Sequence, residues 1–390
     1  MKKDEKKLAR RFWVAFVAFF CLTNITAGGI NIIVDAYGIF GSKVFPSFNQ
    51  KKDYLYQNYR AFKAYDVTRN SFDTVIMGSS RIEIGFDPKS DVFPKGSQVY
   101  NLGIPALQPY EYISYLEHAI LNQPQLKRVL IGIDFEAVYA NDKFKPGFQE
   151  YRMKHRRMAY QDILQYAFSW STLMSSLNTV RRSYKEPEAV NYPQSGFQTY
   201  APSKKALLAA KDSFLEEIGK DPSVIAPDDR QRIVASLDRE LKDIARLIEV
   251  CEENDIEFFV FVTPAHVLRF HRNIHKGFEK IREDWLRELA AVVGDKGMYD
   301  FSGITPITTK DINLEADYYY ETSHFSPHVG NAIVSRLLFD IALDSDFEEF
   351  GTFVNPDNVD EHIESQQEKY REWRDSSLER DTEMLSSFVQ

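Results

Sequence analysis

Asp73-Thr-Val-Ile-Met-Gly-Ser-Ser-Arg-Ile-Glu-Ile-Gly85 is the stretch on which the fold turns. Thr74 to Met77 is a short β-rich run. It breaks at Gly78 and passes into residues able to start a helix. A buried strand ending in Gly-Ser-Ser sets a hydroxyl at the carboxyl edge of a sheet, where open α/β folds place their ligands. A serine at a helix start also sits beside free backbone N–H groups, which can hold a developing oxyanion. Serine is equally a preferred N-cap, so this segment alone leaves Ser79 and Ser80 open to either role.

Downstream, the same rhythm of strand, turn and helix repeats. Ser97 to Leu102 reads as a second strand ending at Gly103. Tyr110 to Leu121 keeps helical spacing at Tyr112, Ile113, Leu116, Ile120 and Leu121. Arg128 to Ile133 is a third, continuously apolar strand closed by Asp134. Asp228 to Asn254 is a long amphipathic helix, and Glu257 to Val262 a fourth strand closed by Thr263-Pro264. Phe278 to Val293 is another helix, Met298 to Phe301 a short fifth strand, and Phe325 to Leu343 holds the last core helix. Strands alternating with helices predict an α/β, doubly wound, mainly parallel five-stranded sheet, built from residues 71–142 and 228–345.

Residues 143–227 break the rhythm with Pro146, Pro187, Pro193, Pro202 and Pro222, and read as a mostly helical insertion or cap. Its basic spots, Tyr151 to Arg157 and Arg181-Arg182, suit a polyanion or a membrane surface, and equally a solvated helix face. Residues 346–390 read as an acidic tail or docking helix, with Ile363, Tyr370 and Trp373 as one sparse apolar stripe.

Upstream, Lys2, Lys3, Lys6, Lys7, Arg10 and Arg11 precede an apolar run from Phe12 to Val34. A membrane anchor needs about 20 apolar residues, and this run meets that length if its polar members are tolerated. A cleaved signal peptide is the competing reading, with Ala27 as the small residue. No small-x-small site precedes Gly28, which favours an uncleaved anchor over residues 12–34. The basic flank predicts a cytoplasmic N-terminus and an exported main domain. Residues 35–70 read as a connecting segment with a short helix from Tyr54 to Tyr65. The apolar fraction of 44% supports a sizeable core, and the net charge of −9 argues against a nucleic-acid binder. Cys21 and Cys251 lie in unrelated segments and give no disulfide framework.

A serine nucleophile needs a base within hydrogen-bond reach and a third group to orient that base. Among eight histidines, His324 stands out through its neighbourhood, Tyr318-Tyr-Tyr-Glu-Thr-Ser-His-Phe-Ser-Pro-His-Val-Gly330. Glu321 precedes it closely enough to reach Nδ1 within one irregular turn. His328 is an alternative base without a carboxylate at matching spacing. His266, just after the fourth strand, sits at the same sheet edge and is a weaker pocket-lining candidate, with an ordinary loop histidine as the plainer reading. His271 and His275 share a helix face but have no evident carboxylate or cysteine partner, so no metal is expected. The absence of a Gly-rich phosphate loop, a Cys-x-x-Cys pair and a His-Glu-x-x-His motif leaves no cofactor to expect.

Taken in order, these motifs resemble the SGNH (GDSL-type) hydrolase superfamily. They resemble in particular its membrane-anchored bacterial branch, which includes alginate-acetyltransferase-like proteins and the teichoic-acid D-alanyl transfer protein. Gly78-Ser79-Ser80 follows the first strand, Asn101-Leu-Gly103 closes the second, and Glu321-Thr-Ser-His324 stands where that family carries Asp-x-x-His. The resemblance covers roughly residues 70–140 and 255–340. It implies an SGNH/flavodoxin-like fold in which Ser80 attacks an ester carbonyl, His324 takes its proton and Glu321 orients His324. The Ser80 and Gly103 backbone N–H groups would hold the oxyanion.

Two departures matter. Glu321 is one methylene longer than the family's Asp, which triads elsewhere tolerate. The family's third strand ends in Gly-x-Asn-Asp, whereas this one ends Gly132-Ile-Asp134. An ionised Asp134 accepts only, so it supplies no oxyanion donor, and Asn141 is a loop residue able to substitute. Ser79, Arg81 and Asp134 are further, weaker candidates to line the substrate site, with a structural ion pair an equal reading for Arg81.

The resulting expectation is an exported serine acyltransferase or acylesterase at the bacterial inner membrane. It would act on acetyl-like esters of a cell-surface polysaccharide, and the resemblance implies a multi-pass membrane acyltransferase as partner. A carbohydrate esterase or lipase-like hydrolase, and a non-catalytic scaffold of a polysaccharide export complex, are the rival expectations.

Overall fold

Residues 2–135, 147–188, 195–197, 208–209, 211–212, 215–216, 226–312 and 317–387 are described by the structure, a computed structural model. The chain starts with α1 (Lys2–Val34) and α2 (Tyr59–Val67), then β1 (Thr74–Gly78), α3 (Ser80–Gly85), β2 (Val99–Gly103), α4 (Pro109–Asn122) and β3 (Arg128–Ile133). Three helices follow: α5 (Glu150–Met153), α6 (Tyr160–Ala167) and α7 (Trp170–Lys185). Next come α8 (Pro227–Glu253), β4 (Glu257–Val262), α9 (Val267–His275), α10 (Glu279–Val293) and β5 (Met298–Asp300). The described chain closes with α11 (Pro327–Phe339), β6 (Thr352–Val354) and α12 (Val359–Ser387). It divides into two compact units, Met1–Asn70 with Lys145–Tyr192, and Ser71–Phe144 with Pro193–Gln390.

The second unit holds the sheet, in the order β2-β1-β3-β4-β5-β6. All neighbours pair in parallel except β6, which runs antiparallel to β5. The expected five strands are present, and the sheet has six. The sixth lies in the acidic segment, where sequence periodicity gives no strand signal. β1 is buried along its whole length, which is why its run is continuous rather than alternating. It sits between β2 and β3, so chain order reverses there. Open α/β sheets place their ligands outside the carboxyl edge of the strands at such a reversal.

The acidic C-terminal segment is part of this unit rather than a tail. Ile363, Tyr370 and Trp373 are all buried, the last two in one core cluster with Ile82, Phe261 and Phe325. The Trp373 indole N–H donates to Asp381 at 2.8 Å, and His362 Nε2 bonds Asp300 at 2.9 Å. Trp373→Ala should cost about 3–5 kcal/mol, the usual penalty for emptying a buried aromatic site. Chemical denaturation checks it, and a loss under 1 kcal/mol, roughly the surface-substitution level, would mean that α12 is dispensable to the core.

In the first unit, residues 35–70 do more than connect. Leu55, Ala61, Phe62 and Ala64 are fully buried. The C-terminal carbonyls of α1 need hydrogen-bond donors, as at any helix end. Lys52 Nζ supplies them, donating to Val34 O at 2.9 Å and Asp35 O at 2.6 Å. Lys145–Tyr192, expected as part of a cap, belongs to this unit. Its anchor is Asp162, which is fully buried. Arg152 donates to it at 2.6 and 2.9 Å, Tyr151 OH at 2.6 Å, and Tyr65 OH also donates. Burial alone would push this carboxyl up, but the hydrogen bonds from Arg152, Tyr151 and Tyr65 outweigh it and hold it below the usual Asp value. A depressed folded pKa gives stability that is present above the unfolded value and lost as pH falls through the folded one. Asp162→Asn should therefore destabilise this unit by about 3–5 kcal/mol at neutral pH, because Arg152 is left buried and unpaired. The deficit should shrink in acid. Urea titrations at several pH values check this, and a deficit independent of pH would refute the charge argument.

Candidate active site

The two serines after β1 divide the roles that the sequence leaves open. Ser79 is the N-cap of α3. Its Oγ accepts from Arg81 N at 3.2 Å and its hydroxyl donates to Asp134 Oδ2. Ser80, the first helical residue, leaves the cap and presents its Oγ 2.9 Å from His324 Nε2. The backbone turn that does this depends on close approach. A Cβ on Gly78 would lie 2.1 Å from Ile82 Cγ1, and one on Gly103 would lie 2.1 Å from the Glu83 N. Only glycine at both places lets α3 settle on the ends of β1 and β2.

His324 comes from a short loop pinned at both ends. Tyr319 and Phe325 form an antiparallel bridge and are fully buried. Tyr320 N donates to His324 O at 2.9 Å. Inside the loop, the Glu321 carboxylate accepts from Ser323 N at 2.8 Å, from His324 N at 2.9 Å and from His324 Nδ1. The longer Glu side chain thus turns its own loop and orients the ring together. With Nδ1–H committed to Glu321, Nε2 is left as the acceptor for the Ser80 hydroxyl proton. Burial pushes the Glu321 carboxyl up, but the hydrogen bond and charge of His324, with Arg269 and Ser323 N–H, hold it down to about 2. The orienting group is therefore an anion throughout the physiological range.

Ser80, His324 and Glu321 are thus brought together, and the remaining candidates take other places. Arg81, Asp134 and Ser79 are buried and form a polar clamp beneath the site. Arg81 donates to Thr263 Oγ1 at 3.1 Å and to Ser323 Oγ at 3.3 Å, and lies 3.6 Å from Asp134. Asp134 also accepts from Thr263. These residues tie the ends of β3 and β4 to the His324 loop, and Asp134 also borders a small cavity with Tyr112 and Glu240.

His266 likewise leaves the pocket lining. It is fully buried, pushed down to about 4 by that burial, and caps α9 through Leu268 N at 3.3 Å. Its Nε2 bonds Lys310 O at 3.0 Å. Its backbone N–H donates to Thr322 O at 3.1 Å, which steadies the His324 loop. His328 is exposed and stacks edge-on against Phe347. His271 bonds Tyr370 OH at 2.8 Å. Among the described residues, no group of His, Cys, Asp and Glu side chains is placed to hold a metal ion.

The groups expected to hold an oxyanion are not equally available. The Gly103 N–H is already engaged, donating to Asn101 Oδ1 at 2.8 Å. Asn141 lies outside the described residues. The Ser80 N–H, at the start of α3, has no acceptor among the described residues. Asn101, which the sequence places in the motif before Gly103 without a role, has one here. It is fully buried and donates to Ile82 O and Phe86 O at 2.8 Å each, fastening the end of α3 to β2. Its only sequence signal is the polar residue inside an otherwise buried strand next to Gly103.

No protein-family model matches this chain, and no curated protein matches it. Among solved structures it is similar to a protein from Streptococcus pneumonia provisionally described as a platelet activating factor, at 11% identity and a TM-score of 0.34. The alignment covers 74% of this chain and 96% of that one. A likeness at this level carries no argument about fold or function.

Proposed function

We propose that this protein is a membrane-anchored serine acyltransferase or acylesterase of SGNH type, acting on acetyl-like esters of a cell-surface polysaccharide. The observation that carries the reading is the 2.9 Å contact between Ser80 Oγ and His324 Nε2, with Glu321 on Nδ1 behind it. Ser80 Oγ attacks the ester carbonyl carbon while His324 Nε2 takes its proton. The carbonyl oxygen becomes an oxyanion facing the Ser80 N–H. Collapse breaks the ester C–O bond, His324 returns the proton to the departing alkoxide, and the acyl group stays on Ser80. A sugar hydroxyl, deprotonated by His324, then takes the acyl group and restores the serine. A multi-pass membrane acyltransferase is the proposed donor partner.

Export is supported by α1, whose Glu5–Val34 portion is long and apolar enough to cross a membrane. The basic residues before it favour a cytoplasmic N-terminus and a single pass through a bacterial inner membrane. Hydrolysis is the second reading, as a carbohydrate esterase or lipase-like enzyme. It is favoured by the 22% exposure of the His324 side chain, which lets water compete for the acyl-enzyme. A non-catalytic scaffold role finds no support in a hydrogen-bonded Ser80, His324 and Glu321.

The test incubates the detergent-solubilised full chain with an activated acetyl ester and, separately, with a fluorophosphonate, and reads intact mass. The expected result is one adduct on wild type and none on Ser80→Ala. A folded wild-type protein that takes neither label would sink both enzyme readings. Adding an oligosaccharide acceptor then separates transfer, which yields acylated sugar, from hydrolysis, which yields free acid.

A further inference from the structure

We propose that the corner between α6 and α7 lies in the outer interface of the bilayer that α1 crosses, giving the protein a second, monotopic contact with lipid. The inference rests on the reading that α1 spans a membrane. Its starting point is an inversion of ordinary helix amphipathicity. α7 buries Thr172, Ser175, Ser176, Thr179 and Ser183. On its other side it exposes Met174, Leu177 and Trp170, the last at 72%. α6 continues the outward apolar ridge with Leu164 at 56% exposed and Phe168 at 47% just past its end. A helix in water does the reverse, with its apolar face toward the core. Small hydroxylic residues facing a neighbouring helix, with large apolar ones outward, is the pattern of helices packed in lipid.

The position of this ridge along α1 makes the same point independently. Asn31 is fully buried and donates to Ala167 O at 2.8 Å and Ser169 O at 3.3 Å, while Ser176 Oγ donates to its Oδ1 at 3.0 Å. A Cβ on Gly28 would lie 2.9 Å from Phe168 Cε1. So the α6–α7 corner is fixed to α1 at Gly28 to Asn31. The hydrocarbon core is about 30 Å thick, which α1 covers in roughly 20 residues at about 1.5 Å each. The basic run ends at Arg11, and that length counted from Phe12 ends close to Asn31. The corner thus meets α1 where the acyl chains give way to headgroups. Trp and other aromatics are the side chains favoured at that depth. Lys154, His155, Arg156 and Arg157 are exposed just before α6, at its far end from the corner. Cations so placed suit anionic headgroups at the membrane surface. Phe168 of the ridge packs directly on α1 at Gly28, and α1 itself exposes Ile25 and Ile32 nearby in the chain, so lipid is the occupant that covers both.

The test uses the full chain in vesicles of phosphatidylcholine and phosphatidylglycerol with brominated acyl chains, which quench tryptophan on contact. Trp285 and Trp373 are buried, so Trp13 and Trp170 are the indoles that lipid can reach. In Trp13→Phe, quenching should persist and be lost in the Trp13→Phe/Trp170→Phe double variant. In Trp170→Phe, quenching of Trp13 reports α1 insertion on its own. If Trp170→Phe is quenched and Trp13→Phe is not, the proposal falls while the anchor stands, and the ridge passes to a protein partner. If neither single variant is quenched, the anchor reading fails and the proposal falls with it. Both substitutions are at exposed positions and conserve an aromatic ring, and circular dichroism verifies that the fold is kept.

Discussion

Ser80→Ala will lower turnover of an activated acetyl ester by roughly a million-fold, to the level that binding and the oxyanion site sustain without a nucleophile. No neighbouring group can take over. Ser79 stands next in the chain, but its oxygen caps α3 and its proton is committed to Asp134. Ser323 is on the same loop as His324, and its hydroxyl meets the Arg81 guanidinium at 3.3 Å. The substitution removes one partly exposed oxygen from the first turn of a helix, so the melting temperature should hardly move. The useful contrast is Ser79→Ala. That change removes a cap worth about 1 kcal/mol and one partner of Asp134, and should lower stability while retaining acyl-enzyme formation. Steady-state hydrolysis and intact-mass labelling of both variants decide between the serines. Labelling that survives in Ser80→Ala and disappears in Ser79→Ala would reverse the assignment of cap and nucleophile.

What could be read from the sequence follows the range of the interactions involved. β1 and β3 are buried almost throughout and β4 over its second half, and they are bounded by Gly78, Asp134 and Thr263, so their apolar runs carry the signal locally. Glu321 and His324 are equally legible, because the carboxylate and the ring meet within one turn of chain. β6 is not. It is three residues long, with Thr352 and Phe353 exposed, and only its pairing with β5 makes it a strand. In α12, Ile363, Tyr370 and Trp373 are too sparse among charged residues to announce a core face, and their burial is decided by distant partners such as Phe270 and His271. The clamp of Arg81, Asp134 and Thr263 joins residues far apart in the chain, and Asn101 works through backbone carbonyls of α3. Residue types alone leave Arg81 open between a substrate contact and a structural ion pair, since buried charge and substrate-binding charge look alike until a partner such as Asp134 is placed. α7 misleads in the opposite direction. Its serines and threonines suggest a wet face, yet that is the face it buries.

Glu321→Gln should cost about ten-thousand-fold in kcat with KM nearly unchanged, the scale seen when a triad carboxylate becomes an amide. The amide keeps the shape and one acceptor oxygen, so the loop can still hold Ser323 N–H or His324 N–H. What it loses is the anion on Nδ1. The ring then shifts its proton toward Nε2, where it faces Ser80 as a donor and can no longer accept. The imidazolium formed during attack also loses its counter-charge. Stability should respond in a defined direction. Burial raises the Glu321 carboxyl, but His324, Arg269 and Ser323 N–H together hold it near 2, below an ordinary Glu. A lowered folded pKa means stability that is present above the unfolded value and lost as pH falls through the folded one. Wild type should therefore be more stable than Glu321→Gln at neutral pH, with the difference closing below about pH 4, where an unfolded-state Glu takes up its proton. Glu321→Asp separates charge from reach. It restores the anion but is a methylene short, so its activity should fall between the two. Thermal melts across pH and kcat at fixed pH read the two effects apart. Equal kcat for wild type and Glu321→Gln would remove Glu321 from the mechanism and leave it only as the residue that turns the His324 loop.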